Sequence, residues 1–275
     1  MSYLSDLLTN EQIRLYGVLP ASALSVTAPH KIRLKNGLKS AVIFAVPYRA
    51  APFTDHNLSL YAVPRDYHLY FSGLFDRILP LLEKQYPTAQ FRCFADNSPI
   101  NERDAAIAAG LGVYGDSGLI LTDLYGSYVF LGEILSDLEP EAYGEEVRIH
   151  QIVGCEHCGA CRRSCPRNID PRSDGQCLSA LSQKKGELTP DEQSYLLAGG
   201  SVWGCDVCQT VCPHNRGVIP SPIPFFAEER ITHLTRERLL AMSDKEFAER
   251  AYSWRGTDTI LRNLTLFENA EKKQG

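Results

Sequence analysis

The segment "GCEHCGACRRSCPRN", residues 154–168, places four cysteines within eleven positions, and "WGCDVCQTVCPHN", residues 203–215, adds three more. No other feature of the 275-residue chain restricts its fold so strongly. Cys155, Cys158, Cys161 and Cys165, the last followed by Pro166, form a C-x2-C-x2-C-x3-C-P run, the spacing of a bacterial ferredoxin. Three thiolates from one short loop can cap three iron corners of a cube, while the fourth leaves the loop at the proline to serve a second cube. Zinc is the alternative metal, but zinc ribbons usually draw paired cysteines from two separated turns. A disulfide framework fits poorly, because nine cysteines is an odd number and seven of them sit in two tight runs.

A second self-contained motif would need cysteines at 202, 205, 208 and 212, and position 202 is Val202. The expected ligand sets follow. One cluster takes Cys155, Cys158, Cys161 and the remote Cys212. The other takes Cys165, Cys205 and Cys208 and needs a fourth ligand, for which Cys177 in "GQCLSALSQ" is the nearest unassigned thiol. Cys93, inside an apolar strand, reads as an ordinary buried cysteine. His157 lies between two ligands and can in principle coordinate; a solvated loop histidine is the plainer reading.

Two cubanes held close together form an electron relay, and alone they would make a ferredoxin-like carrier. About 150 residues of different texture precede them, far more than a carrier needs. This first segment reads as α/β. "SAVIFAVPY" (40–48) is a buried strand, and residues 67–86 have apolar positions at helical spacing with Pro80 as a kink or break. "FRCFAD" (91–96) is another strand. A helix follows with Ser98 as N-cap and Gly110 at its stop. Residues 117–135 read as a hairpin turning near Tyr125 and Gly126. The expected organisation is an α/β (α+β) domain at 1–148, a ferredoxin-like domain at 149–216 and a helical segment at 217–275 packing on the core.

A net charge of −5 and a pI near 5.8 argue against a generally basic nucleic-acid binder, although a local basic patch remains compatible. The N-terminus lacks a basic region followed by an apolar core, and the longest apolar runs are too short to span a bilayer. The expectation is a soluble, cytoplasmic protein.

The order "YAVPRDYH" (61–68), "ADNSPINER" (95–103), "AGLGVYGDSGLIL" (109–121), "GSYVFLGEIL" (126–135), then the two cysteine runs with "CLSAL" between them and "LRN" near the end, resembles the epoxyqueuosine reductase family. The resemblance implies a cobalamin-dependent reductase with two [4Fe-4S] clusters, its fold related to nitroreductases and reductive dehalogenases. It implies reduction of the epoxide of epoxyqueuosine at the wobble position of certain tRNAs, giving queuosine. It also implies a tRNA substrate and an external electron donor such as a flavodoxin or ferredoxin, and it supports Cys177 as the displaced ligand. The family's catalytic acid falls on Asp96 of "DNSPINER". Asp96, Arg103, Gly112, Gly115 and Ser179 are the implied cofactor-binding residues.

The chemistry of these residues agrees. Removing an epoxide oxygen takes electrons and a proton, and a carboxylic acid whose pKa is raised by burial can give the proton. Read alone, Asp96 would be a turn or cap residue, Arg103 a surface ion-pair partner of Glu102 or Asp104, and the glycines a strand-entry turn. The chain departs from the family at Gly115-Asp116-Ser117, where a basic residue is usual, and at His214, where a tryptophan is usual. It resembles a short form that stops before the helical-repeat domain many members carry. Arg162, Arg163, Arg167, Arg172, Lys184 and Lys185 form a locally basic segment, either a tRNA contact or a solvated face over the clusters. A cobalamin-dependent reductase of another substrate and a ferredoxin-like electron carrier are the alternatives.

Overall fold

Every residue of Ser40–Pro47 is buried, and the strand earns this by its place in the sheet. The computed structural model describes residues 2–51, 55–151, 154–168 and 177–274. After helix α1 (Tyr3–Asn10) come strands β1 (Leu15–Pro20) and β2 (Ser40–Pro47), helix α2 (Tyr67–Gln85), strand β3 (Phe91–Phe94) and helix α3 (Glu102–Ala108). Strands β4 (Val113–Tyr114), β5 (Ile120–Leu121) and β6 (Val129–Ser136) follow. The main sheet runs β1-β2-β6-β3 with every pairing antiparallel. β2 and β6 are inner strands, so an uninterrupted apolar run suits β2 on both faces.

One face of β2 carries Ala41, Ile43 and Ala45 into a core with the alanine-rich α3. The other face meets α2, where the rings of Phe44 and Phe71 lie 6.2 Å apart. Small residues let the layers close up. A Cβ on Gly17 of β1 would stand 2.5 Å from the Ala109 carbonyl oxygen, so the α3 terminus can approach only a glycine.

Three sequence expectations change here. Pro80 does not break α2, which continues to Gln85; the residue is exposed, where water can satisfy the backbone carbonyl that loses its partner. Ser98 is not the N-cap of α3. Asn101 is, its side chain accepting from the Asp104 N–H. Residues 117–135 are not one hairpin. Thr122 and Gly126 do form the tight turn, but β5 pairs with β4 while β6 joins the main sheet.

The cysteine-bearing half uses short helices: α4 (Ala160–Ser164), α5 (Leu178–Ser182), α6 (Pro190–Gly199), α7 (Val207–Thr210), α8 (Arg236–Leu240), α9 (Asp244–Ala248) and the longer α10 (Thr257–Gln274). The chain divides into two compact units that interleave in sequence. The first comprises residues 1–47, 70–115 and 119–157; the second comprises 48–69, 116–118 and 158–275. The second unit has its own apolar cores. One gathers Leu58, Val63, Val202, Trp203, Tyr252 and Ile260, and another gathers Leu178, Leu181, Leu188 and Leu196. Val202, standing where a fourth cysteine would complete the second motif, is a core residue. Among the described residues no helix is long and apolar enough to cross a membrane.

Candidate functional site

In the first unit, the chain leaves β3 into the loop that carries Asp96. Asp96 and Asn97 both adopt left-handed backbone, with φ of 62° and 47°, a conformation that Asp and Asn tolerate better than other side-chain-bearing residues. Both are exposed. The loop is tied down from several sides. The Lys31 ammonium donates to the Asn97 carbonyl at 2.9 Å and to its Oδ1 at 2.6 Å. The Ser98 hydroxyl donates to Glu133 Oε2 on β6, and the Ser98 oxygen accepts from the Ile100 N–H at 3.2 Å. The Glu102 carboxylate accepts a hydrogen bond from the Asp96 N–H.

The burial expected for Asp96 falls instead on its neighbours. Glu133 has no exposed surface, and burial pushes its carboxyl up to about 8; the Ser98 hydroxyl opposes the rise and Glu102 adds to it. Burial pushes Glu102 up to about 7, helped by the charge of Asp96 and opposed by the Asp96 N–H and Arg103. Arg103 is exposed, its guanidinium 5.7 Å from the centroid of the Tyr114 ring. The arrangement presents an exposed carboxyl on a fixed loop backed by two proton-binding carboxyls. Neither Glu102 nor Glu133 stood out in the sequence. The available signal was the glutamate in "VFLGEIL", on the face that should be apolar.

The glycines that follow are explained by the chain itself. A Cβ on Gly112 would lie 2.3 Å from the Leu121 carbonyl oxygen, and one on Gly115 3.0 Å from that of Leu119. Their close contacts are to the paired β4 and β5 backbone, so they give no evidence of space kept for a flat ligand. The Cys155 N–H donates to the Tyr114 carbonyl at 2.9 Å, which fixes the start of the cysteine loop to β4.

In the second unit α4 packs against α7, bringing the two cysteine runs together. Cys161 lies on α4, Cys165 at its C-cap, Cys208 on α7 and Cys177 at the N-cap of α5. None of the nine cysteines is joined in a disulfide. Burial pushes the Cys205 thiol up to about 12, and the nearby Cys177, Asp206 and Cys165 add to it. Burial likewise raises Cys208, with Cys205, Cys177, Asp206 and Cys161 contributing. Cys161, Cys165 and Cys177 thus lie close enough to oppose the ionisation of Cys205 or Cys208, and together the five thiols are a donor set suited to a thiophilic metal centre. Cys93 lies on β3, its thiol pushed up to about 12 by burial.

The turn after Cys205 is fixed by Asp206, which sequence reasoning missed. Its carboxylate accepts from the Ser59 hydroxyl and the Leu60 N–H, each at 2.6 Å, and from the Gln209 amide at 3.0 Å. Burial raises its pKa, and these hydrogen bonds oppose the rise. Ser179 lies on α5, its hydroxyl 3.3 Å from the Gln183 amide nitrogen and hydrogen-bonded to Tyr61. His157 and His214 are exposed. Of the basic segment, Arg162 and Arg163 are exposed, Lys184 pairs with Glu192 at 2.7 Å, and Arg167 lies 5.4 Å from the Tyr195 ring centroid. Arg172 lies outside the described residues.

Residues 154–215 match the 4Fe-4S double cluster binding domain. The epoxyqueuosine reductase of Staphylococcus aureus is 31% identical over 212 residues, which are 74% of this chain and 53% of that protein. The chain belongs to the epoxyqueuosine reductase family. It spans about half the length of the curated relatives it matches. Solved epoxyqueuosine reductases have the same fold. The Streptococcus thermophilus structure superposes with a TM-score of 0.76 at 21% identity, covering 96% of this chain and 79% of that one. One bound to an epoxyqueuosine-modified tRNA-Tyr stem loop gives 0.77 at 24% identity, covering 96% and 80%. The cofactors of the epoxyqueuosine reductase family are two [4Fe-4S] clusters and cobalamin. The crowded thiols are a donor set that fits such clusters.

Proposed function

We propose that this chain reduces the epoxide of epoxyqueuosine in tRNA, in the cytoplasm, with electrons from a reduced flavodoxin- or ferredoxin-type donor. The observation that carries the reading is the Asp96 loop. An acid at the family's catalytic position is exposed, held in left-handed backbone, and anchored through Lys31, Ser98 and Glu102. Cys155, Cys158, Cys161 and Cys212 hold one [4Fe-4S] cluster; Cys165, Cys177, Cys205 and Cys208 hold the other.

Bound cobalamin supplies the reducing chemistry that opens the epoxide. The residues of this chain that would face it are Asp96 and Arg103. Asp96 would pass a proton to the departing oxygen, and the anchored loop keeps that carboxyl in place so that little ordering remains to be done at the transition state. Arg103, pinned beside Tyr114, orients the site through its fixed positive charge. Support for a tRNA substrate comes from the relative solved with a modified stem loop.

The test is anaerobic reconstitution with iron, sulfide and cobalamin, followed by an assay on epoxyqueuosine-containing tRNA. Conversion to queuosine is the expected result, with Asp96→Asn reducing kcat by about a hundredfold or more. Full activity in that variant would remove Asp96 from its role. Cobalamin binding without conversion would point to another substrate for the same chemistry. Eight irons without cobalamin binding would point to an electron carrier.

A further inference from the structure

Glu133 is out of keeping with its surroundings. On β6 it shares a face with Leu131 and Leu135, which pack into the α3 core, and it has no exposed surface. Its cross-strand partners are Ile43 on β2 and Phe94 on β3, both apolar. Two polar groups face it: the Ser98 hydroxyl from the Asp96 loop, and Glu102 from α3. Glu102 in turn faces Asp96 and Arg103. Among the described residues, Oε1 of Glu133 and Oε1 of Glu102 are both buried without a hydrogen-bond partner. Two neighbouring carboxyls, with unmatched oxygens and one exposed cation beside the outer member, do not both ionise.

We propose that Glu133 and Glu102 are a proton-holding pair that positions the Asp96 loop and supplies the second proton of the reduction. The inference rests on the proposed function for its chemistry, and on the loop geometry for its placement. Converting an epoxide to an alkene breaks both C–O bonds, forms a C=C bond, takes up two electrons from the reduced flavodoxin- or ferredoxin-type donor and releases the oxygen as water. Water formation takes two protons. Asp96, exposed on its loop, passes on one taken from solvent. The pair holds the other behind the same loop: Glu102 adjoins Asp96 through the Asp96 N–H, and Glu133 adjoins both Glu102 and Ser98. Solvent restores both protons after turnover. Burial raises both members, so a proton stays on the pair at neutral pH. Both act through Asp96 and are positioning residues.

The test uses the full reconstituted chain. Infrared spectroscopy of the wild type at neutral pH should show the C=O stretch of a protonated carboxylic acid, shifted in heavy water and, in Glu133→Gln, reduced to the part that titrates near 7 with Glu102. In turnover, Glu133→Gln keeps an acceptor for Ser98 but holds no exchangeable acid. It should therefore lower kcat by about tenfold or more with KM unchanged, and remove the alkaline limb of the pH profile. If Glu133→Gln does not fold, Glu102→Gln provides the second probe. Removing the like charge must shift the titration of the Glu133 band to lower pH. Absence of a protonated-acid band in the wild type overturns the proposal. So does a Glu133→Gln enzyme with unchanged kcat and pH profile. A wild type that shows the band but does not reduce epoxyqueuosine-tRNA keeps the proton-holding pair and overturns its role as second proton donor. That result also overturns the proposed function, and the band separates the two failures.

Discussion

Burying Glu133 has a thermodynamic consequence that can be measured without substrate. Its carboxyl moves from an ordinary value near 4.5 to about 8 on folding, chiefly because burial disfavours the charge. Between those values the folded state binds more protons than the unfolded chain, so stability falls as pH rises. The Glu133 contribution is therefore fully present below about pH 4.5 and is lost as pH climbs through about 8. At about 1.4 kcal/mol per pH unit the span amounts to a few kcal/mol. Glu133→Gln should flatten this decline, so that its melting temperature gains on the wild type as the buffer moves from pH 5 to pH 8. Thermal scans across that range decide the matter. A gap between the two proteins that does not change with pH would mean that Glu133 is ionised in the fold.

At the scale of single elements, the two glutamates show what one sequence could and could not reveal. The double-cluster domain was legible because cysteine ligand chemistry depends on spacing along the chain, which a sequence records directly. Cys177 was proposed as a ligand by subtraction, and it lies near Cys205 and Cys208. Strand β2 was legible because an inner strand needs apolar side chains on both faces. Glu133 was not, since its meaning depends on which neighbour covers each face of β6, and that is fixed only when α3 docks. The same dependence misled the reading of Ser98. A serine before a helix normally caps it, but here the hydroxyl serves Glu133 and Asn101 takes the cap. Residues 117–135 carry a real turn, yet pairing partners distant in sequence draw β5 and β6 apart.

The motif "LRN" becomes intelligible at this scale as well. Asn263 on α10 has no exposed surface, and its amide donates to the Ser182 carbonyl at 2.8 Å and the Val202 carbonyl at 2.7 Å. Arg262 donates to the carbonyls of Lys184, at 2.5 Å, and Gly186, at 2.6 Å. These bonds hold the end of α5 and the approach to Cys205. Asn263→Ala would leave two buried carbonyls unmatched, at a cost of about 1–3 kcal/mol each. The expected outcome is a melting temperature lowered by several degrees, measured by circular dichroism on the reconstituted protein. A change within error would show that water replaces the amide.

For the whole molecule, the order of residues in the chain differs from their grouping in space. Residues 48–69 belong to the unit that carries Cys158 to Cys212, and from that segment Ser59 and Leu60 hold Asp206 beside Cys205. The ferredoxin-like spacing is therefore supported by contacts that a small carrier would not contain. Cys177 is held by the same framework. It caps α5, whose Ser182 accepts at its hydroxyl from the Gly204 N–H at 2.9 Å and at its carbonyl from Asn263. A thiol fixed in this way cannot be replaced by a migrating neighbour, while Val202, at the vacant motif position, is locked in an apolar core. Cys177→Ser should accordingly lose one cluster and keep the other, so that iron falls from about eight per chain, two clusters of four, to about four. Cys93→Ser should retain all eight. Iron and sulfide analysis, with electron paramagnetic resonance of the reduced protein, reads both variants. Full iron in Cys177→Ser together with loss in Cys93→Ser would reverse the two assignments. Full iron in both would mean that the second cluster takes its fourth ligand from outside the cysteines.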